Sequence, residues 1–270
     1  MTSGPPALTP REPAQPRAPG QGGGSAPASV RLPLHRVRLT YVLLGVISVV
    51  FVGQLASEQV MGFDWPAAVG AKVNALIAAG EYWRLITPVF LHASLLHFFF
   101  NMYALYNLGR EVESYSGARR LALIFFVAGL AGTVFSLLFT PNPSVGASGG
   151  IFGLIGAQGV FLYRHRRLFG EGGRRGLQQV VFIALINLVI GLQGRIDNWA
   201  HVGGLLGGLA LSWILGPAWD IQPDPLNPGQ PTVVDRQAQW PYRWAALGVL
   251  AFALGVLTVA GIARAGGLGV

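Results

Sequence analysis

Residues 121–163 read LALIFFVAGLAGTVFSLLFTPNPSVGASGGIFGLIGAQGVFLY, 43 residues between Arg120 and Arg164 without one charged side chain. A helix that crosses a bilayer needs about 20 mostly apolar residues at a rise of about 1.5 Å each. The run is too long for one span, and Pro141-Asn142-Pro143 breaks it in the middle. It predicts two membrane helices, at 119–139 and 148–164, joined by a short loop.

Outward from this stretch the same pattern recurs. Arg38 to Glu58 encloses 19 uncharged residues, Arg84 to Arg110 25, Arg175 to Arg195 19, Asp197 to Asp220 22, and Arg243 to Arg264 20. These gaps predict further spans near 39–56, 95–113, 177–193, 199–216 and 243–263, seven in all. The composition agrees. The chain is 52% hydrophobic and only 11% charged, against about 25% charged in soluble domains. With no cysteine it has no disulfide framework, thiolate nucleophile or Cys-ligated metal. The expected fold is an all-α membrane protein, a polytopic helical bundle.

The charges report topology. Residues 1–38 form a Pro/Gly-rich segment read as a disordered cytoplasmic tail, lacking the early apolar core of a cleavable signal peptide. With the N-terminus inside, 15 arginines fall on inner segments, and the outer segments hold Lys72, the only lysine, with Arg84, Arg195 and Arg264. That asymmetry follows the positive-inside rule. Inner segments balance to +8 and outer segments to zero, so the net charge of +8 is a topology signal and nucleic acid is not an expected partner. The segment 57–94, with Trp65, Tyr82-Trp83-Arg84 and Phe90, reads as an outer insertion lying partly in the lipid headgroups. Residues 217–242, with Pro223, Pro225, Pro228 and Pro231, read as a cytoplasmic linker, followed by a C-terminal transmembrane helix within 243–270.

Aspartate and glutamate are absent from the span interiors, which excludes an aspartyl protease and a carboxylate proton relay. His92 and His97 stand five apart with no Glu between them, and no His-Glu-x-x-His occurs, so no metal or other cofactor is expected. A small polar set remains. His97 and Asn101 share a helix face at i, i+4. Ser148 lies in Gly146-Ala147-Ser148-Gly149-Gly150, where the outer loop enters span four, and His201 lies near the start of span six. By helical rise, Ser148 sits roughly 24 Å from Arg164 and His201 roughly 28 Å from Asp220, so both reach a similar outer depth. A serine hydroxyl needs a base, and imidazole fits; no acidic third member is available, which leaves a Ser-His dyad. The oxyanion would need donors, for which the backbone N–H at the Ala147–Ser148 helix start, the Asn101 amide and the His97 imidazole are candidates. Gly149 and Gly153 on span four, with Gly203, Gly204, Gly207 and Gly208 on span six, would let these two helices approach closely. Each residue also has a plain reading: Ser148 as an N-cap, the histidine as a backbone-bonded side chain, the glycines as generic packing.

Together these residues resemble the rhomboid family of intramembrane serine proteases. The resemblance rests on Trp83-Arg84, His97-x-x-x-Asn101, Gly109-x-x-x-Glu113-x-x-x-Gly117, Gly146-Ala147-Ser148-Gly149 and Ala200-His201-x-x-Gly204-x-x-x-Gly208, in that order over residues 39–216. It implies a rhomboid-like six-helix core at 39–216 with a seventh C-terminal transmembrane helix. It also implies a Ser148–His201 dyad, an oxyanion site at His97, Asn101 and a backbone N–H by Ala147, and transmembrane protein substrates. Phe152 stands where some members carry a Tyr against the catalytic His, so packing without its hydrogen bond is expected. A prokaryotic cell (inner) membrane is the expected site, given the preference for Arg over Lys. Two other readings remain: a non-catalytic rhomboid-like protein that binds membrane helices, and a seven-span transporter, which would need charged or broken-helix sites near the bilayer centre.

Overall fold

The computed structural model describes residues 32–192, 196–224, 231–239 and 241–267. Residues 1–31 of the expected tail lie outside the described residues, as do 225–230 and 240 of the expected linker.

Helix α1 (Leu39–Met61) starts without a side-chain cap of its own. The Glu113 carboxylate supplies one across 75 residues of chain: Oε1 accepts from Arg38 N (2.9 Å) and Leu39 N (2.8 Å), and Oε2 from Thr40 N (2.8 Å) and Thr40 Oγ1 (2.7 Å). A helix start leaves its first N–H groups unpaired, and a carboxylate there also meets the positive end of the helix dipole. The helix stops at Gly62, whose φ of 78° suits a residue without Cβ.

The 57–94 segment is folded. It holds α2 (Trp65–Gly70), capped by Asp64, then α3 (Asn74–Ala78) and two 3-10 turns at Tyr82–Leu85 and Thr87–Phe90. The next span begins with α4 (Leu95–Ala104), capped by Ser94, and passes through a π-helical turn at Leu105–Gly109 into α5 (Arg110–Ser116). The expected end near 113 thus moves to Ser116. In that turn a Cβ on Gly109 would lie 2.8 Å from Thr40 Cγ2, so glycine is what lets α1 come close enough for Glu113 to cap it.

The centre of the bundle is α6 (Ala118–Phe139), α7 (Ser148–Arg164) and α9 (Asn198–Leu215), each packed on the other two. Between them runs α8 (Arg166–Gly191). Helical structure begins at Arg166 rather than at the expected 177 because a short helical piece precedes the main helix and joins it across a kink. Gly170 interrupts it with φ 53° and ψ −132°. Four helices, α1, α6, α8 and the final α10 (Arg243–Gly267), are long and apolar enough to cross a membrane by length and composition. The α4–α5 run, α7 and α9 were the other three expected spans; α7 has 17 residues, and 12 of them are buried among neighbours.

The expected linker of 217–242 contains regular structure. Strand β1 (Trp219–Pro223) pairs antiparallel with β2 (Pro231–Asp235), from Trp219↔Asp235 to Pro223↔Pro231. The two prolines form the last pair of the ladder, at the end where the chain connects the strands, and there a missing N–H costs little. Beyond the hairpin, α10 packs on α6 and α3, with Ile262 and Ala265 closing a small core around Ile77, Leu85 and Leu137.

Candidate active site

Ser148 is the first residue of α7, and Ala147, fully buried, is the N-cap. The plain reading of Ser148 as the cap therefore does not hold: no side chain caps α7, and Ser148 Oγ makes no hydrogen bond among the described residues. Its hydroxyl is free, and the first N–H groups of the helix point to the same end. Gly146, with φ 136°, folds the entering chain tightly, held by its N–H to Pro88 O at 2.9 Å.

The space over Gly146 gathers two of the sequence candidates. A Cβ there would lie 2.9 Å from His97 Nε2 and 3.6 Å from Ser148 Oγ, so the imidazole and the hydroxyl line one small pocket that only glycine leaves open. Asn101 is buried one turn further along α4, and its Nδ2 donates to His97 O at 2.9 Å. An amide has two N–H donors, so one remains for another acceptor. Behind His97, the His92 ring lies edge-on at 5.1 Å. Burial, reinforced by His97, lowers the His92 pKa to about 3, so that ring stays neutral. Its backbone is clamped by Gln54 of α1, whose Oε1 accepts from His92 N (2.9 Å) and whose Nε2 donates to His92 O (3.1 Å) and Asp64 Oδ2 (2.6 Å).

His201 lies in the first turn of α9, which Asp197 caps by accepting from Ala200 N at 3.1 Å. The Phe152 ring, one turn into α7, stacks on the His201 ring with centroids 4.2 Å apart and planes 14° from parallel. No hydroxyl is needed for that contact, as the sequence implies for Phe152. His201 Nδ1 has no hydrogen-bond partner among the described residues, so no acid orients the ring. No hydrogen bond joins Ser148 Oγ to His201 in this arrangement.

Glycine brings the two helices together. A Cβ on Gly204 would lie 2.1 Å from Gly149 O, and one on Gly208 2.2 Å from Gly153 O, so the backbones of α7 and α9 touch. The third helix joins by residues the sequence reading did not single out: a Cβ on Gly132 of α6 would meet Ala200 O at 2.6 Å, next to His201. Gly132 follows Ala128 at the small-xxx-small spacing, the signal in the sequence that marks this face of α6.

Trp83 and Arg84 serve a different purpose. Arg84 is buried, pairs with Glu81 (2.6 Å) and donates to Ala71 O and Ala68 O, both at 2.9 Å. Trp83 Nε1 donates to Val69 O at 3.0 Å. Both tie the 3-10 turn to α2, and their hydrogen bonds reach neither Ser148 nor His201.

A rhomboid domain model matches residues 79–218, just over half of the chain. The rhomboid protease GluP of Bacillus subtilis (strain 168) is 43% identical over 150 residues, covering 55% of this chain and 29% of the relative. RHOMBOID-like protein 6, mitochondrial, of Arabidopsis thaliana is 36% identical over 168 residues, 61% of this chain and 52% of the relative. The same plant's Inactive RHOMBOID-like protein 8 is 34% identical over 151 residues, 55% of this chain and 40% of the relative. The chain thus spans about half or less of the length of these relatives. The all-α architecture, the apolar helices and the matched domain make this an integral membrane protein that belongs to the rhomboid family.

Proposed function

We propose that the protein is an intramembrane serine protease that hydrolyses peptide bonds in or near transmembrane segments of other membrane proteins. The observation that carries this reading is the pairing of an uncapped Ser148 at the start of α7 with a His201 ring stacked on Phe152 of the same helix. His201, neutral, accepts the Ser148 proton as Oγ attacks the scissile carbonyl, then gives it to the leaving amine. The oxyanion is met by the Ser148 N–H beside Ala147, the free Asn101 N–H and His97. Water then enters by the same proton path and releases the acyl group. Catalytic hydrogen bonds tighten when substrate binds, so the Ser148–His201 hydrogen bond is expected to form in the substrate complex. The arginine distribution supports an N-terminus in the cytoplasm and a prokaryotic cell (inner) membrane, which puts the Ser148 end of the bundle on the outer side.

The test is cleavage of a model transmembrane substrate by the purified protein in liposomes. Wild type cuts, and Ser148→Ala and His201→Ala do not. Asn101→Ala lowers kcat more than it raises KM, because an oxyanion donor acts in the transition state. The similarity to an inactive relative favours a second reading, a non-catalytic binder of membrane helices. Substrate capture without cleavage by wild type would select it.

A further inference from the structure

The only lysine in the chain, Lys72, has a fully buried side chain. A buried ammonium is costly unless its charge is compensated, and nothing in the dyad mechanism uses it. Its partners are specific. Nζ donates to Thr140 O at 2.9 Å and Asn142 O at 3.0 Å, the carbonyls where α6 ends and the loop to Ser148 begins. Its backbone forms a two-way bridge with Ser144, Lys72 N to Ser144 O at 3.0 Å and Ser144 N to Lys72 O at 3.1 Å. Two residues on, Asn74 Nδ2 donates to Leu137 O (3.3 Å) and Thr140 O (3.1 Å). The loop that ends at Ser148 is therefore fastened to the 57–94 insertion along most of its length.

The same charge reaches the other half of the site. Asp197, which caps the His201 helix, attracts Lys72 electrostatically and also accepts from Ser136 Oγ of α6. Ser136 in turn meets Ser144 at 3.4 Å. One cation thus acts on the end of α6, on the approach to Ser148 and on the cap of α9.

We propose that protonated Lys72 is a positioning residue of the reaction, holding the Ser148 loop and the start of the His201 helix in register so that the dyad can form. This rests on the dyad reading above. Burial lowers the Lys72 pKa from 10.5 to about 8, with Asp197 opposing the shift. The other groups that meet it, at Thr140, Asn142 and Ser144, present carbonyls and a hydroxyl that do not titrate in this range. The charge is therefore nearly complete a pH unit below 8 and is lost as pH rises through 8, leaving Asp197 without its counter-charge.

The experiment is a profile of kcat and KM from pH 6 to 10 on a transmembrane substrate in liposomes, for wild type, Lys72→Arg and Lys72→Met. The same series measures labelling of Ser148 by a serine-directed fluorophosphonate. Wild-type kcat is expected to fall about tenfold for the first pH unit above the limb, with KM nearly unchanged and the labelling rate falling in parallel. Lys72→Arg, which keeps a cation, moves the limb upward, and Lys72→Met loses most of its turnover at pH 7 and shows no limb near 8. A wild-type profile flat through pH 9.5, or a Lys72→Met profile matching wild type, overturns the role of Lys72 while leaving the dyad standing. Failure of wild type to cleave or label at any pH overturns the dyad reading and this inference with it. Because the wild-type profile alone decides the first point, the proposal survives a variant that does not fold.

Discussion

At Gly204 a single methyl group decides whether the site can close. Its Cβ would need the place of the Gly149 carbonyl, 2.1 Å away, and neither backbone can yield without parting α7 from α9. Gly204→Ala is expected to cost about 1–3 kcal/mol, the usual range for overpacking, read as a lower thermal midpoint in detergent with matching loss of cleavage. Gly255→Ala on α10, where nothing lies within 4 Å of the new methyl, leaves both unchanged. Phe152 makes the complementary case, since its ring gives His201 a fixed face where no carboxylate does. Stacked aromatic pairs contribute about 0.5–1.5 kcal/mol, so Phe152→Ala should lower kcat roughly two- to tenfold with little change in KM. An unaltered kcat would mean that the His201 ring is oriented by something else.

Two elements are held by partners far away in the chain. Helix α1 depends on Glu113, so Glu113→Ala leaves the N–H groups of Arg38, Leu39 and Thr40 without their acceptor. Hydrogen bonds to charged groups contribute about 1.5–3 kcal/mol; the variant should unfold at clearly lower temperature, and a wild-type midpoint would remove Glu113 from that role. The hairpin is latched by His165, whose Nδ1 lies 2.7 Å from Phe161 O while Nε2 accepts from Trp219 N at 2.8 Å. A ring accepting an N–H must be neutral, and burial, with Arg164 adding to it against Asp235, lowers the His165 pKa below 6.5. The latch is therefore complete above about pH 6.5 and weakens as pH falls through the lowered value. Hydrogen exchange at Trp219 N–H should be faster at pH 5 than at pH 7.5, once corrected for intrinsic rate; equal corrected rates would contradict the latch. The sequence could not announce either device. Glu113 was legible as part of a spaced motif, but its acceptor role appears only when Thr40 is brought against Gly109. The hairpin was hidden because four prolines within 223–231 read as linker, although two of them form its last pair, at the connecting end.

Across the whole molecule, the helices divide by what surrounds them. The best apolar stretch of α10 is 6% buried and that of α8 17%, against 50% for α6. Apolar side chains that face outward from α8 and α10 have lipid as their solvent, whereas α7 is enclosed by protein. Where lipid tails are as apolar as leucine, helices associate through small residues and close backbones, and the α6–α7–α9 contacts follow that rule. This is why the helix framework was legible from the spacing of charges alone: in a membrane, charge is excluded from spans and so marks their ends. The start of α7 at Ser148 and of α9 beside His201 could be read from glycine and polar residues at those ends. Lys72, Asp197 and Gln54 could not be, because their partners lie up to some 70 residues away and only packing brings them together.

The most direct measurement of the central claim, a serine nucleophile activated by His201, is peptide mapping by mass spectrometry after fluorophosphonate treatment of the folded protein. One adduct is expected, on Ser148, lost in His201→Ala and slowed in Asn101→Ala. An adduct on another residue, or an undiminished Ser148 adduct in His201→Ala, would contradict it.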